Sequence, residues 1–65
     1  ASGGESAHMV RVSREMAEMT QVKLADLLGM PQANLSQIET GKRPVGKGLA
    51  KKLAKVFKVD YRVFL

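Results

Sequence analysis

The run from Thr20 to Gly41 constrains this chain most, because its small and apolar residues fall at intervals that few arrangements of two helices accept. With Gln21 as the first position, Ala25 is fifth, Gly29 ninth, Leu35 fifteenth and Ile38 eighteenth. Each position has a steric reason. The fifth must be small where two helices cross at close range. The ninth is glycine because the chain turns sharply there with a positive φ. The fifteenth and eighteenth anchor the second helix on the core and leave its other face uncovered.

The local signals agree with this spacing. Thr20 is a good N-cap for a helix over Gln21–Leu28, and Met19 before it can staple to Leu24 after it. Val22, Leu24, Ala25, Leu27 and Leu28 supply its apolar side, and Gly29 ends it as a left-handed residue. Proline is tolerated in a first helical turn, so the next helix is expected to start near Pro31 and to run to Thr40, where Gly41 stops it. On its wheel Leu35 and Ile38 point one way, while Gln32, Ala33, Ser36 and Gln37 point the other. Asn34 and Glu39 flank the apolar edge.

Helical periodicity also covers the flanks. Residues 9–19 form an amphipathic helix with Met9, Val10, Val12, Ser13, Met16, Ala17 and Met19 on one half and Arg11, Glu15 and Glu18 on the other. Val45, Leu49, Leu53 and Phe57 recur every fourth residue in a segment from Val45 to Lys58, joined by Ala50 and Ala54 and backed by Lys47, Lys51, Lys52, Lys55 and Lys58. Asp60 can cap a last short helix, Tyr61 to Leu65. Residues 1–8, ASGGESAH, are small and polar and read as a disordered tail and an expression scar ahead of Met9. No strand pattern occurs. The expectation is one all-α domain over 9–65. A chain of 65 residues without cysteine needs tight helix packing, helped by dimerisation.

Charge narrows the partners. Residues 1–40 hold three bases and five acids, whereas residues 41–65 hold eight bases and only Asp60. A net charge of +5 polarised in this way suits a polyanion, either a nucleic acid or an anionic membrane. Catalysis is not expected. There is one His, placed in the tail with no second metal ligand near it, no Cys, no glycine-rich phosphate loop and no paired carboxylates. Glu15, Glu18, Asp26 and Asp60 read as surface, cap and ion-pair residues. No cofactor or metal is expected. With no apolar run long enough to span a bilayer and no secretory leader, a cytoplasmic protein is the expectation.

Two short helices joined through a glycine turn make a helix-turn-helix pattern. The run TQVKLADLLGMPQANLSQIETGKRP resembles the Cro/phage-repressor type (XRE-like) helix-turn-helix family, and the resemblance extends from about Val10 to Leu65. It implies a compact five-helix domain that binds operator DNA, usually as a dimer, in repressors of phages and bacteria and in antitoxins that repress their own operon. The ending AKKLAKVFKVDYRVFL is similar to the family's fourth and fifth helices.

Carried over residue by residue, the resemblance makes 31–40 the recognition helix. Gln32, Ala33 and, one turn on, Gln37 match base-reading positions, with Ser36 beside them. Gln pairs bidentately with adenine N6/N7, and the Ala methyl packs on a thymine methyl. Asn34 is a short side chain that can reach a base edge or a phosphate. Gln21 matches a phosphate contact and can brace Gln32. Lys42 and Arg43 match the family's basic loop and are expected on phosphates, with Arg43 near the minor groove. Pro31 departs from the pattern, which has Ser or Thr there, so one hydroxyl contact to the backbone loses its donor.

Glu39 would repel DNA if it pointed outward, but its wheel position turns it toward the first helix, where Arg14 lies on the border between faces. Family members carry a buried Arg–Glu pair at both positions, and a buried Arg14–Glu39 pair is expected; the alternative is a surface pair between Arg14 and Glu18, four residues on.

Three functions compete. The first is a sequence-specific regulator, most simply a repressor, that binds a palindromic double-stranded operator as a homodimer at least on DNA. The second is an antitoxin that also binds a toxin protein. The third is a membrane-active or calmodulin-target segment at 46–58; this is disfavoured because its apolar face is needed to close the core. The bland reading of the lysine face is solvated surface, and the same holds for an exposed Gln/Ser/Asn face without the spacing that frames it here.

Overall fold

Four residues with left-handed backbone close the four α-helices found among the described residues. In the computed structural model, which describes residues 3–65, these helices are α1 (Gly3–Met16), α2 (Gln21–Leu28), α3 (Gln32–Glu39) and α4 (Lys47–Phe57), followed by a 3-10 turn, Tyr61–Phe64. After α1 comes Glu18 at φ 56°, after α2 Gly29 at 71°, after α3 Gly41 at 80° and after α4 Lys58 at 57°. In each case the next amide reaches back five residues to a helical carbonyl: Met19 to Arg14, Met30 to Ala25, Lys42 to Gln37 and Val59 to Ala54. These bonds satisfy carbonyls that the helix end leaves open and reverse the chain tightly. Gly29 and Gly41 adopt this geometry without steric conflict, while Glu18 and Lys58 hold a conformation that their Cβ atoms oppose.

The helix starts are capped as the sequence suggests in two places. The Thr20 hydroxyl accepts from the Lys23 amide at 3.1 Å, and an Asp60 carboxylate oxygen accepts from the Arg62 amide at 3.0 Å.

Core residues come from every element: Val10 of α1; Leu24, Ala25 and Leu28 of α2; Leu35 and Ile38 of α3; Ala50 and Leu53 of α4; and Phe64 of the 3-10 turn. α1 packs on α3 and the turn, α2 on α3 and α4, and α4 on the turn. Phe57 and Phe64 meet at 6.2 Å between ring centroids, tilted by 41°, and close the end of the core. Met9, Met19, Met30, Val45 and Leu49 pack around its rim.

Several boundaries differ from the sequence reading. α1 begins at Gly3, so residues 3–8 are helical rather than a disordered tail; Ser6 and Ala7 are buried, on the same helix face as Val10. Residues 1 and 2 of that tail lie outside the described residues. α1 also stops at Met16, not Met19, because Glu18 turns left-handed; Met16, expected on the inner face, is 81% exposed. Val22 and Leu27 are exposed, since Leu24, Ala25 and Leu28 alone share the inner face of α2. Pro31 is the N-cap of α3 at ψ 148°, outside the helix, and offers its carbonyl to the amides of Asn34 and Leu35. The expected fifth helix is a single 3-10 turn, held by the short loop between Lys58 and Asp60. The described residues are thus all-α, with four helices and that turn.

Candidate nucleic-acid interface

α3 is pegged from below. Leu35 and Ile38 are buried in the core and Glu39 is buried beside them, while Gln32, Ala33 and Gln37 are exposed on the opposite side and Asn34 and Ser36 are half-buried. At ~100° per residue, Gln32, Ser36, Ala33 and Gln37 occupy one arc of less than half the wheel. Eight residues span ~12 Å, which is the width of a DNA major groove.

The polar side chains around this helix form a chain of hydrogen bonds whose direction is fixed from the inside. The Arg14 guanidinium donates from Nε to Glu39 Oε2 at 2.7 Å and from Nη2 to Glu39 Oε1 at 3.1 Å. Its Nη1 donates to the Met19 carbonyl at 2.8 Å, which ties α1 to the α1–α2 turn. The side chains are 14% and 2% exposed. The hydrogen bond that Arg14 donates to Glu39 raises the Arg14 pKa above its ordinary value, against the opposing effect of burial, so Arg14 stays charged at any working pH. Arg14 and Glu39 are thus brought together across the core, and not Arg14 and Glu18.

Gln21 continues the chain. Its Nε2 donates to Glu39 Oε1 at 3.0 Å, and its Oε1 accepts from Gln32 Nε2 at 3.2 Å. An ion-paired carboxylate only accepts, so the Gln21 amide must turn its nitrogen inward and its oxygen outward. That oxygen in turn requires a donor from Gln32. Gln32 therefore keeps its own oxygen and one N–H for a ligand, which is the mixed pattern that adenine N6/N7 complements. Both polar ends of the Gln21 amide are engaged, leaving it one amide N–H and its backbone N–H.

At the far end of α3 the loop folds back onto the helix. The amides of Lys42 and Arg43 both donate to the Gln37 carbonyl, at 2.9 and 3.2 Å. The Arg43 Nε donates to Gln37 Oε1 at 3.1 Å. The Thr40 hydroxyl donates to the carbonyls of Ser36 and Gln37 and seals the last turn. Lys42 and Arg43 are exposed, as expected of a basic loop, but Arg43 is drawn to the side of α3 that carries Gln37. That contact has no signal in the sequence, because it depends on the reversal at Gly41.

Among the described residues, Lys47, Lys51, Lys52, Lys55 and Lys58 are exposed and make no salt bridge, and Lys51 lies 5.8 Å over the Tyr61 ring. The described residues hold no cluster that could bind a metal ion, and no helix among them is long and apolar enough to cross a membrane. A family model described as helix-turn-helix matches residues 10–64. Comparison with curated proteins and with solved structures gave no match.

Proposed function

We propose, because this chain belongs to the Cro/phage-repressor type (XRE-like) helix-turn-helix family of DNA-binding regulators, that it reads double-stranded operator DNA with α3 in the major groove and acts as a transcriptional repressor. The observation that carries this reading is the outward Gln32, Ala33, Ser36 and Gln37 face, held over Leu35 and Ile38 with its amides already oriented. Gln32, braced by Gln21, pairs with adenine through its remaining oxygen and N–H. Ala33 packs on a thymine methyl, and Ser36 reaches the base between them. Asn34, Lys42 and the amino end of α2 at Gln21 hold the flanking phosphates. A homodimer sets two copies of α3 about one DNA turn apart, roughly 34 Å, on a palindromic site.

Selection of bound sequences from random duplex DNA, followed by titration at two salt concentrations, tests this reading. The expected result is a palindrome with half-sites one turn apart. Lys42 brings one cation per protomer to the backbone, so a dimer neutralises at least two phosphates. Affinity should then fall roughly tenfold or more between about 50 and 200 mM salt. Affinity that barely changes over that range, or a selection that returns no common sequence, overturns the reading.

A further inference from the structure

We infer that Arg43 and Gln37 form one donor-rich reading unit that selects guanine at the base step facing the carboxyl end of α3. This rests on the operator-reading function above, and it moves Arg43 from a phosphate to a base edge. Three observations carry it. First, Arg43 is tethered to Gln37 at two points, by its backbone amide on the Gln37 carbonyl and by its Nε on Gln37 Oε1. The Arg43 side chain is thereby placed beside Gln37, on the side of α3 that carries Gln32, Ala33 and Ser36. Second, a guanidinium has no acceptor, so the amide orientation of Gln37 is settled by chemistry: its oxygen faces Arg43 and its nitrogen faces away. Third, both side chains are exposed, so their remaining donors are open to a ligand.

The donor inventory then decides the base. Gln37 spends one lone pair of its oxygen on Arg43 and offers both of its amide N–H groups. Arg43 has used Nε and still offers the N–H groups of Nη1 and Nη2. Adenine presents a donor at N6 next to its acceptor at N7, and the unit could meet that donor only with the second lone pair of Gln37 Oε1, which lies against the guanidinium, while most of its open groups are donors. Guanine alone presents two adjacent acceptors, O6 and N7, in the major groove. Gln32 at the other end of α3 is opposite in character, because its nitrogen is the group committed to Gln21. One helix thus carries two glutamines with opposite faces open, one suited to adenine and one, with Arg43, to guanine.

The test uses the whole chain on the duplex selected above, with guanine at the assigned step replaced in turn by adenine, 7-deazaguanine and inosine. Adenine or 7-deazaguanine should weaken binding roughly tenfold or more, through loss of the O6/N7 pair. Inosine keeps O6 and N7 and lacks only the minor-groove amino group, so it should bind as guanine does. In Arg43→Ala the adenine and 7-deazaguanine penalties should shrink to a fewfold at that step alone, with every other position of the site unchanged. Thermal unfolding of the variant checks that the fold is kept. Uniform weakening of Arg43→Ala across all duplexes overturns the inference in favour of a phosphate contact. Loss of affinity with inosine overturns it in favour of the minor groove. If the selection itself returns no preferred sequence, the operator-reading function fails and this assignment falls with it.

Discussion

Arg14 and Glu39, twenty-five residues apart, meet in a two-pronged ion pair at 2.7 and 3.1 Å that joins the first helix to the last turn of the third. Glu39 is the inner end of the chain of bonds that orients Gln21 and then Gln32. The pair therefore holds the fold and also sets the donor pattern on the outer face.

Breaking that pair should be costly. Glu39→Gln keeps the shape but leaves Arg14 without its counter-charge, and Arg14→Ala leaves a carboxylate that is 2% exposed without a cation. Each is expected to destabilise by about 3–5 kcal/mol, which for a domain of this size lowers the thermal midpoint by more than ~10 °C. The double variant should be much less than additive. Thermal unfolding followed by circular dichroism reads all three, and additive losses would show that the pair is not coupled.

Two helix ends can be improved. Lys58 and Glu18 sit at φ 57° and 56°, where a Cβ is opposed and glycine is not. Lys58→Gly and Glu18→Gly should each stabilise by about 0.5–1 kcal/mol, whereas Gly29→Ala, at φ 71°, should destabilise by a similar amount or more. Opposite signs at equivalent positions, read from denaturant midpoints, are the diagnostic result.

Stability and reading should separate at the two glutamines. Gln32 is exposed and bonded only through its amide to Gln21, so Gln32→Ala should change stability by less than ~0.5 kcal/mol while erasing one adenine preference in a binding selection. Gln21→Ala also removes a bond from Glu39, so it should cost about 1 kcal/mol as well as loosening the same preference.

The carboxyl end should respond to acid. The Arg62 side chain and amide hold the Asp60 carboxyl down to about 2, below its usual 3.8. A carboxyl with a depressed folded-state pKa adds stability that is fully present above 3.8 and is lost as the pH falls toward about 2. The 3-10 turn should therefore fray across that window, with less protection, relative to intrinsic exchange at each pH, of the Val63 and Leu65 amides that close it. In Asp60→Ala that change in protection with pH should be absent.

The sequence carried the helix-turn-helix because its signals there are local: a capping Thr20, a turning Gly29, and Leu35 and Ile38 at helical spacing. It carried the facing of Glu39 for the same reason. Reversals at Glu18 and Lys58 were illegible, since neither residue type favours a left-handed backbone, and the helix limits after Met16 and at Phe57 follow from them. The start of α1 was hidden by small residues; Ser6 and Ala7 become core only because other helices lie over them. Arg43 on Gln37 was hidden because it arises from how the Gly41 turn aims the loop.

The order of commitment along the bonded row from Arg14 through Glu39 and Gln21 to Gln32 bears on how such a domain can change its target. Under the operator reading proposed above, a new letter at Gln32 must suit an oxygen already presented by Gln21, and altering Gln21 disturbs a charge in the interior, so the inner half of the recognised word is costly to rewrite. Gln37 and Arg43 lean only on each other and on main chain, so the outer letter can drift one side chain at a time with the scaffold undisturbed.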